Sequence, residues 1–167
     1  MTIIFKAAWQ KNDPALEADA IAFWSELNLI PAETMQERSK ELAVVAYEDG
    51  RVIGVSTLIV RHMAALEQKF AFLREAVRPE YRQHEFSIDL GLETRNLIES
   101  YALDHLDEKI AGMAAVFQAP NIGQRPLSRR IGFVLVGYTQ QDEQVRVSWF
   151  KHFRVPTNLS EQPSFNS

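Results

Sequence analysis

The chain has 167 residues, a length that ordinarily forms one domain. Its hydrophobic fraction of 46% and charged fraction of 24% describe a foldable globule rather than a disordered chain. Without cysteine it has no disulfide, thiolate metal site or cysteine nucleophile, and a net charge of −4 gives no global attraction to nucleic acid. The amino terminus, Met1-Thr2-Ile3-Ile4-Phe5-Lys6, carries no basic leader region, and no run of roughly 18 apolar residues occurs. The expected location is cytoplasmic.

Thr2–Trp9 reads as a first strand. Asp13-Pro14 supplies an N-cap and a proline at the first helical position, and Leu16, Ala20, Phe23, Trp24 and Leu27 then recur at helical spacing. A second short helix is expected from Pro31, with Met35 and Leu42 inward and Glu33, Glu37, Arg38, Lys40 and Glu41 outward. Two β-rich runs, Leu42–Tyr47 and Val52–Val60, bracket Asp49-Gly50 and predict a hairpin. Phe70–Val77 is the next expected antiparallel strand, ended by Pro79, while Met63–Lys69 reads as helical locally yet has to connect two strands. Ser87–Leu103 is the clearest helix, with Ile88, Leu90, Thr94, Leu97, Ile98 and Tyr101 on one face. Ile110–Phe117 is apolar without alternation, as in a strand covered on both faces. A short helix over Gln124–Ile131, starting near Pro126 and closed by Gly132, precedes strands Phe133–Tyr138 and Val145–Phe153.

These elements give the order β-α-α-β-β-β-α-β-α-β-β over a single domain, residues 1–154, with residues 155–167 expected as a disordered tail. A helix between the hairpin strands and the buried strand requires a right-handed crossover to parallel pairing. The fold class is therefore α/β, a mixed sheet that changes once from antiparallel to parallel.

That order resembles the GNAT superfamily of acyl-CoA N-acyltransferases, and the likeness runs over roughly residues 2–153. In that family a V-x-P segment runs into a pyrophosphate loop of form Q/R-x-x-G-x-G/A that opens a helix. Here Val77, Pro79, Tyr81, Arg82 and Leu90 fit the pattern, while Glu85 and Ser87 stand where the family has glycine. Asn121, eleven residues before Gly132-Phe133, matches a further family spacing.

The resemblance implies an acyl-CoA-dependent N-acyltransferase, most simply an N-acetyltransferase, with acetyl-CoA as co-substrate, no metal, and a small-molecule or peptide amine as acceptor. It implies coenzyme contacts from Ala76, Val77, Arg78, Arg82, Gln83, His84, Glu85, Phe86, Ser87 and Asn121, with backbone N–H near Ala76 and Val77 polarising the thioester carbonyl. Glu75 is the candidate base and Glu67 the second choice; Ser128 stands where many members have a tyrosine acid. Arg125, Arg129 and Arg130 read as a solvated basic surface or as contacts to the nucleotide end, and Tyr101 and Tyr138 as core. The four histidines show no metal spacing. The alternative is a non-catalytic GNAT-like binding or assembly module that has lost coenzyme A. The acceptor and the oligomeric state, a homodimer included, stay open.

Overall fold

The computed structural model describes residues 2–82, 85–118 and 129–155. Among them are strands β1 (Ile3–Ala7), β2 (Leu42–Glu48), β3 (Arg51–Met63), β4 (Gln68–Val77), β5 (Ile110–Phe117), β6 (Val134–Tyr138) and β7 (Gln144–Trp149). Three helices accompany them: α1 (Pro14–Glu26), α2 (Ala32–Ser39) and α3 (Phe86–Asp104).

Local chemistry starts and stops most of these elements where the sequence predicts. The Asp13 carboxylate accepts from Ala15 N at 2.9 Å and Leu16 N at 3.3 Å, with Pro14 behind it. Asp49 and Gly50, at φ 49° and 78°, form the two-residue turn between Glu48 and Arg51, a geometry that suits aspartate and glycine. Three details differ. α2 ends at Ser39, so Leu42 opens β2 instead of facing inward from the helix. Arg38, expected outward, is half-buried. The ambiguous Met63–Lys69 is the tip of the β3–β4 hairpin: a 3-10 turn over Ala64–Leu66 and Glu67 joins strand ends that still pair at Met63↔Gln68. The expected Gln124–Ile131 helix falls largely outside the described residues; its end, 129–132, is a turn with Gly132 at φ +76°.

The sheet order is β1-β2-β3-β4-β5-β7-β6, and β4–β5 is the parallel pair. α1 and α2 cover one face through Phe23, Trp24 and Met35 against Val45, Val55 and Ala76. α3 covers the other through Leu90, Ile98 and Ala102 against Val77, Ala71 and Leu58. Beneath α3 a short polar chain is fully satisfied: Ser56 Oγ accepts from Val44 N at 3.1 Å and lies 2.7 Å from Thr94 Oγ1, which donates to Leu90 O at 2.8 Å.

On the α1/α2 face Thr57 is 2% exposed and its hydroxyl has no hydrogen-bond partner among the described residues. A buried unpaired hydroxyl costs free energy that valine, of nearly the same shape, does not. Thr57→Val is therefore expected to stabilise the fold by about 1 kcal/mol. At this chain length that raises the melting midpoint by roughly 2–4 °C, readable by calorimetry.

Candidate functional site

The site begins where two strands part. β4 pairs with β5 from Lys69↔Ile110 to Leu73↔Ala115 and no further, although β4 runs on to Val77 and β5 to Phe117. Beyond that point β4 keeps β3 as its partner and β5 keeps β7, through Val116↔Val145 and Phe117↔Gln144. The result is a V-shaped gap in mid-sheet.

Strand alternation settles which backbone groups face the gap. Arg78 N donates to Ile53 O at 3.0 Å, and the β3–β4 register is unbroken, so the Ala76 N–H also points at β3. The N–H groups of Glu75 and Val77 therefore point into the gap. Of the two backbone groups expected to polarise a carbonyl, the Val77 N–H points into the gap and the Ala76 N–H points at β3; the Ala76 side chain lies under α1.

α3 begins directly beside this gap. Its first intrahelical bond is Asp89 N to Glu85 O at 3.0 Å, and Glu85 provides no side-chain cap. The N–H groups of Phe86, Ser87 and Ile88 are left without intrahelical acceptors, at the positive end of a 19-residue helix. Glu85, placed where a loop glycine was expected, turns its carboxylate outward, 84% exposed, and Arg130 lies 3.7 Å from it. Arg130 also grips Asp89 at 2.6 Å, so one guanidinium offsets both acidic residues of the helix start.

The other expected residues separate into those that face the gap and those that build the scaffold. Arg82 is exposed, and its Nε donates to Val77 O at 3.1 Å, which holds the guanidinium at the gap's rim. Arg78 has a different employment. It is 3% exposed, clamps Glu26 bidentately at 2.8 and 2.6 Å, donates to Val52 O at 2.6 Å and lies over the Phe23 ring. Its side chain ties β4 to α1 and is turned away from the α3 start. Phe86 is likewise core: it is 3% exposed, stacks on Phe5, meets Tyr81 edge-on and presses against Gly54. Only its backbone N–H is available to a ligand. Gln83, His84, Asn121 and Ser128 lie outside the described residues. Glu67 sits at the hairpin tip, at the far end of β4. Tyr101 donates to Glu108 at 2.6 Å at the far end of α3, and Tyr138 is exposed on β6 instead of packing in the core.

Glu75 occupies the centre of this arrangement. It shares the α3 face of β4 with Val77, and its Oε2 accepts from Ser87 Oγ at 3.1 Å. Glu75 is exposed as a residue, yet its carboxylate lies close against α3 at Ser87 and Gly91, which takes part of its water away. That desolvation pushes its pKa up to about 7, against the smaller opposing effect of the Ser87 hydrogen bond. The carboxylate fits because Gly91 in α3 has no side chain: a Cβ there would stand 3.0 Å from Glu75 Oε1 and 2.8 Å from Ile131 Cδ1. A glycine inside a strong helical pattern is the sequence signal for such an approach. Nothing comparable in the sequence marks Glu26 as the partner of Arg78. Among the described residues there is no cluster of metal-ligating side chains and no helix long and apolar enough to cross a membrane.

Solved structures decide the fold. The chain superposes on yncA of Salmonella typhimurium, a putative acetyltransferase with its cofactor acetyl-CoA, at TM-score 0.60 and 14% identity, covering 93% of this chain and 98% of that one. The fold is that of the GNAT acyltransferases. A GNAT-family acetyltransferase of Streptococcus pneumoniae matches at TM-score 0.56 and 14% identity, over 89% of this chain and 99% of the other. A mutant of the toxin AtaT, bound to the C-terminus of the antitoxin AtaR and to acetyl-CoA, matches at 0.56 and 18% identity, over 90% and 93%. No family model matches the chain, and no curated protein does.

Proposed function

We propose that the protein transfers an acyl group, most simply acetyl, from coenzyme A to a primary amine. The observation that carries this reading is the β4–β5 gap with the Val77 N–H turned into it, flanked by an uncapped helix start and by Glu75. Three unpaired N–H groups, with the Arg82 guanidinium at the rim, suit the pyrophosphate of the coenzyme. Glu85 does not spoil that fit, since its carboxylate faces solvent and Arg130 stands against it. Two structures of the same fold carry acetyl-CoA, which supports the same co-substrate here.

When bound, the coenzyme supplies an activated thioester. The Val77 N–H is aimed where negative charge develops on the thioester oxygen as an amine attacks. Glu75, with a pKa near neutrality, takes the proton of the incoming ammonium directly or through one water. No described side chain stands out as the acid for the leaving thiolate.

The test is a thermal melt with and without acetyl-CoA. At about a hundred times Kd, binding adds about 2.7 kcal/mol, which at this size raises the midpoint on the order of 5–10 °C. The shift is expected in the wild type and expected to shrink in Arg82→Ala. No shift with acetyl-CoA, longer acyl-CoA or free coenzyme A would overturn the transferase reading in favour of a non-catalytic module.

A further inference from the structure

β6 ends the sheet, bonded to β7 on one side and to no described strand on the other. Val134–Tyr138 includes no charge and no proline, and Val134, Leu135, Val136 and Tyr138 are 46, 43, 37 and 58% exposed. Successive side chains of a strand turn to opposite faces, so three exposed apolar residues in a row leave both faces uncovered. A bulge adds to this: the register slips between Leu135 and Gly137 and leaves Val136 without a β7 partner. The backbone is open too. Thr139 N donates to Glu143 O at 2.9 Å, so alternation aims the Gly137 N–H at β7 and the Tyr138 N–H and C=O at the open edge. The opposite edge is built differently. β1 carries Lys6, alternates exposed with half-buried side chains and has Ile4 as its one exposed large apolar residue. An edge lysine discourages pairing, and β6 has none.

We infer that β6 is an interface between two copies of this chain, paired antiparallel about a two-fold axis near Val136. Charge selects this occupant and its direction. Exposed Arg129 and Arg130 stand in the turn before β6, and Asp142 and Glu143 in the turn after it. Antiparallel pairing of two copies brings the basic turn of each to the acidic turn of the other, whereas parallel pairing sets like charge against like. A two-fold axis across the strand also demands the antiparallel direction, so symmetry and charge agree. With the axis at Val136, Val134 of one copy faces Tyr138 of its partner, and apolar side chains meet on both faces of one continuous sheet. The Tyr138 N–H and C=O then gain backbone partners. A strand this short makes an interface below the standard size, so the dimer is weak, with Kd on the order of micromolar. The surface lies two strands beyond β5 and does not rest on the transferase reading.

Sedimentation equilibrium of the full chain, from low micromolar to a few hundred micromolar, tests this. The expected result is a concentration-dependent passage from monomer to dimer and no further. Val136→Lys, at an exposed position without a β7 partner, should weaken association by roughly 100-fold or more, since it places two like charges on the axis. Arg129→Glu should weaken it by roughly 3- to 10-fold, and adding Glu143→Arg should restore it, a rescue that requires the antiparallel direction. The chain has no cysteine, so Val136→Cys gives a direct reading: residues on the axis face each other, and oxidation should link two copies. Leu103→Cys, 53% exposed on α3, should link far less. A monomer throughout the range would overturn the inference, as would a dimer that survives Val136→Lys or cross-linking equal in the two cysteine variants. Assembly beyond the dimer would overturn it too, because it would mean that β6 pairs with a different edge. Should Val136→Lys fail to fold, the charge exchange and the cross-link decide the matter without it.

Discussion

Replacing Glu75 with glutamine is expected to lower kcat/KM for acyl transfer by roughly two to three orders of magnitude while leaving the acetyl-CoA melt shift in place. Glutamine keeps the shape that Gly91 accommodates and can still bond to Ser87, so the loss isolates the proton acceptor. The pH profile makes the test sharper. A carboxylate with a pKa of about 7 is the competent base only when ionised, so wild-type kcat/KM should climb through pH 7 and level off above it. The Glu75→Gln variant should lose that inflection. An inflection near 7 that persists in the variant would assign it to another group and remove Glu75 from the chemistry. Stability carries the opposite sign. The folded pKa lies above the unfolded value of 4.5, so the contribution of this carboxyl is fully present below pH 4.5 and is lost as pH rises through about 7. Denaturant melts of wild type and variant should therefore diverge between those two values and run parallel above them.

What the sequence makes legible depends on the range of the interaction involved. The Asp13 cap and the Asp49-Gly50 turn are set by neighbours within three residues, and both stand where the pattern places them. The exchange from antiparallel to parallel pairing follows from element order, because a helix between two strands leaves few topologies open. Side-chain employment is another matter. Arg78 and Arg82 look alike in sequence, four residues apart in one loop motif. What separates them is Glu26, 52 residues away on α1, which claims Arg78 and leaves Arg82 at the rim. Arg38 differs for a related reason: periodicity shows that a charged residue can face water, not how far tertiary packing then covers it. The resemblance points to Glu75 by its place on the strand, but its raised pKa arises from α3 packing over it at Gly91. That contact joins elements whose relative placement no local pattern encodes.

Phe86 provides the clearest case in which a residue of the loop motif acts through packing. Phe86→Ala is expected to destabilise the fold by about 3–5 kcal/mol, the usual cost of emptying a buried aromatic site. For this chain length that lowers the melting midpoint on the order of 10 °C. The ring fills the space above Gly54, where a Cβ would come within 2.8 Å of it, and it is wedged between Phe5 and Tyr81. Few neighbours can collapse into the cavity: Gly54 has no side chain to offer, and Tyr81 is tethered by its hydroxyl to Glu48. The same ring is the first residue of α3, so its loss also loosens the backbone that presents the N–H groups of Ser87 and Ile88. Acetyl-CoA affinity should fall as well, although the side chain touches no part of the proposed coenzyme site. Phe86→Leu keeps most of the apolar volume and should recover most of both losses. A Phe86→Ala protein that melts like the wild type yet fails to bind acetyl-CoA would reverse this assignment, because it would mean that the ring meets the coenzyme instead of the core.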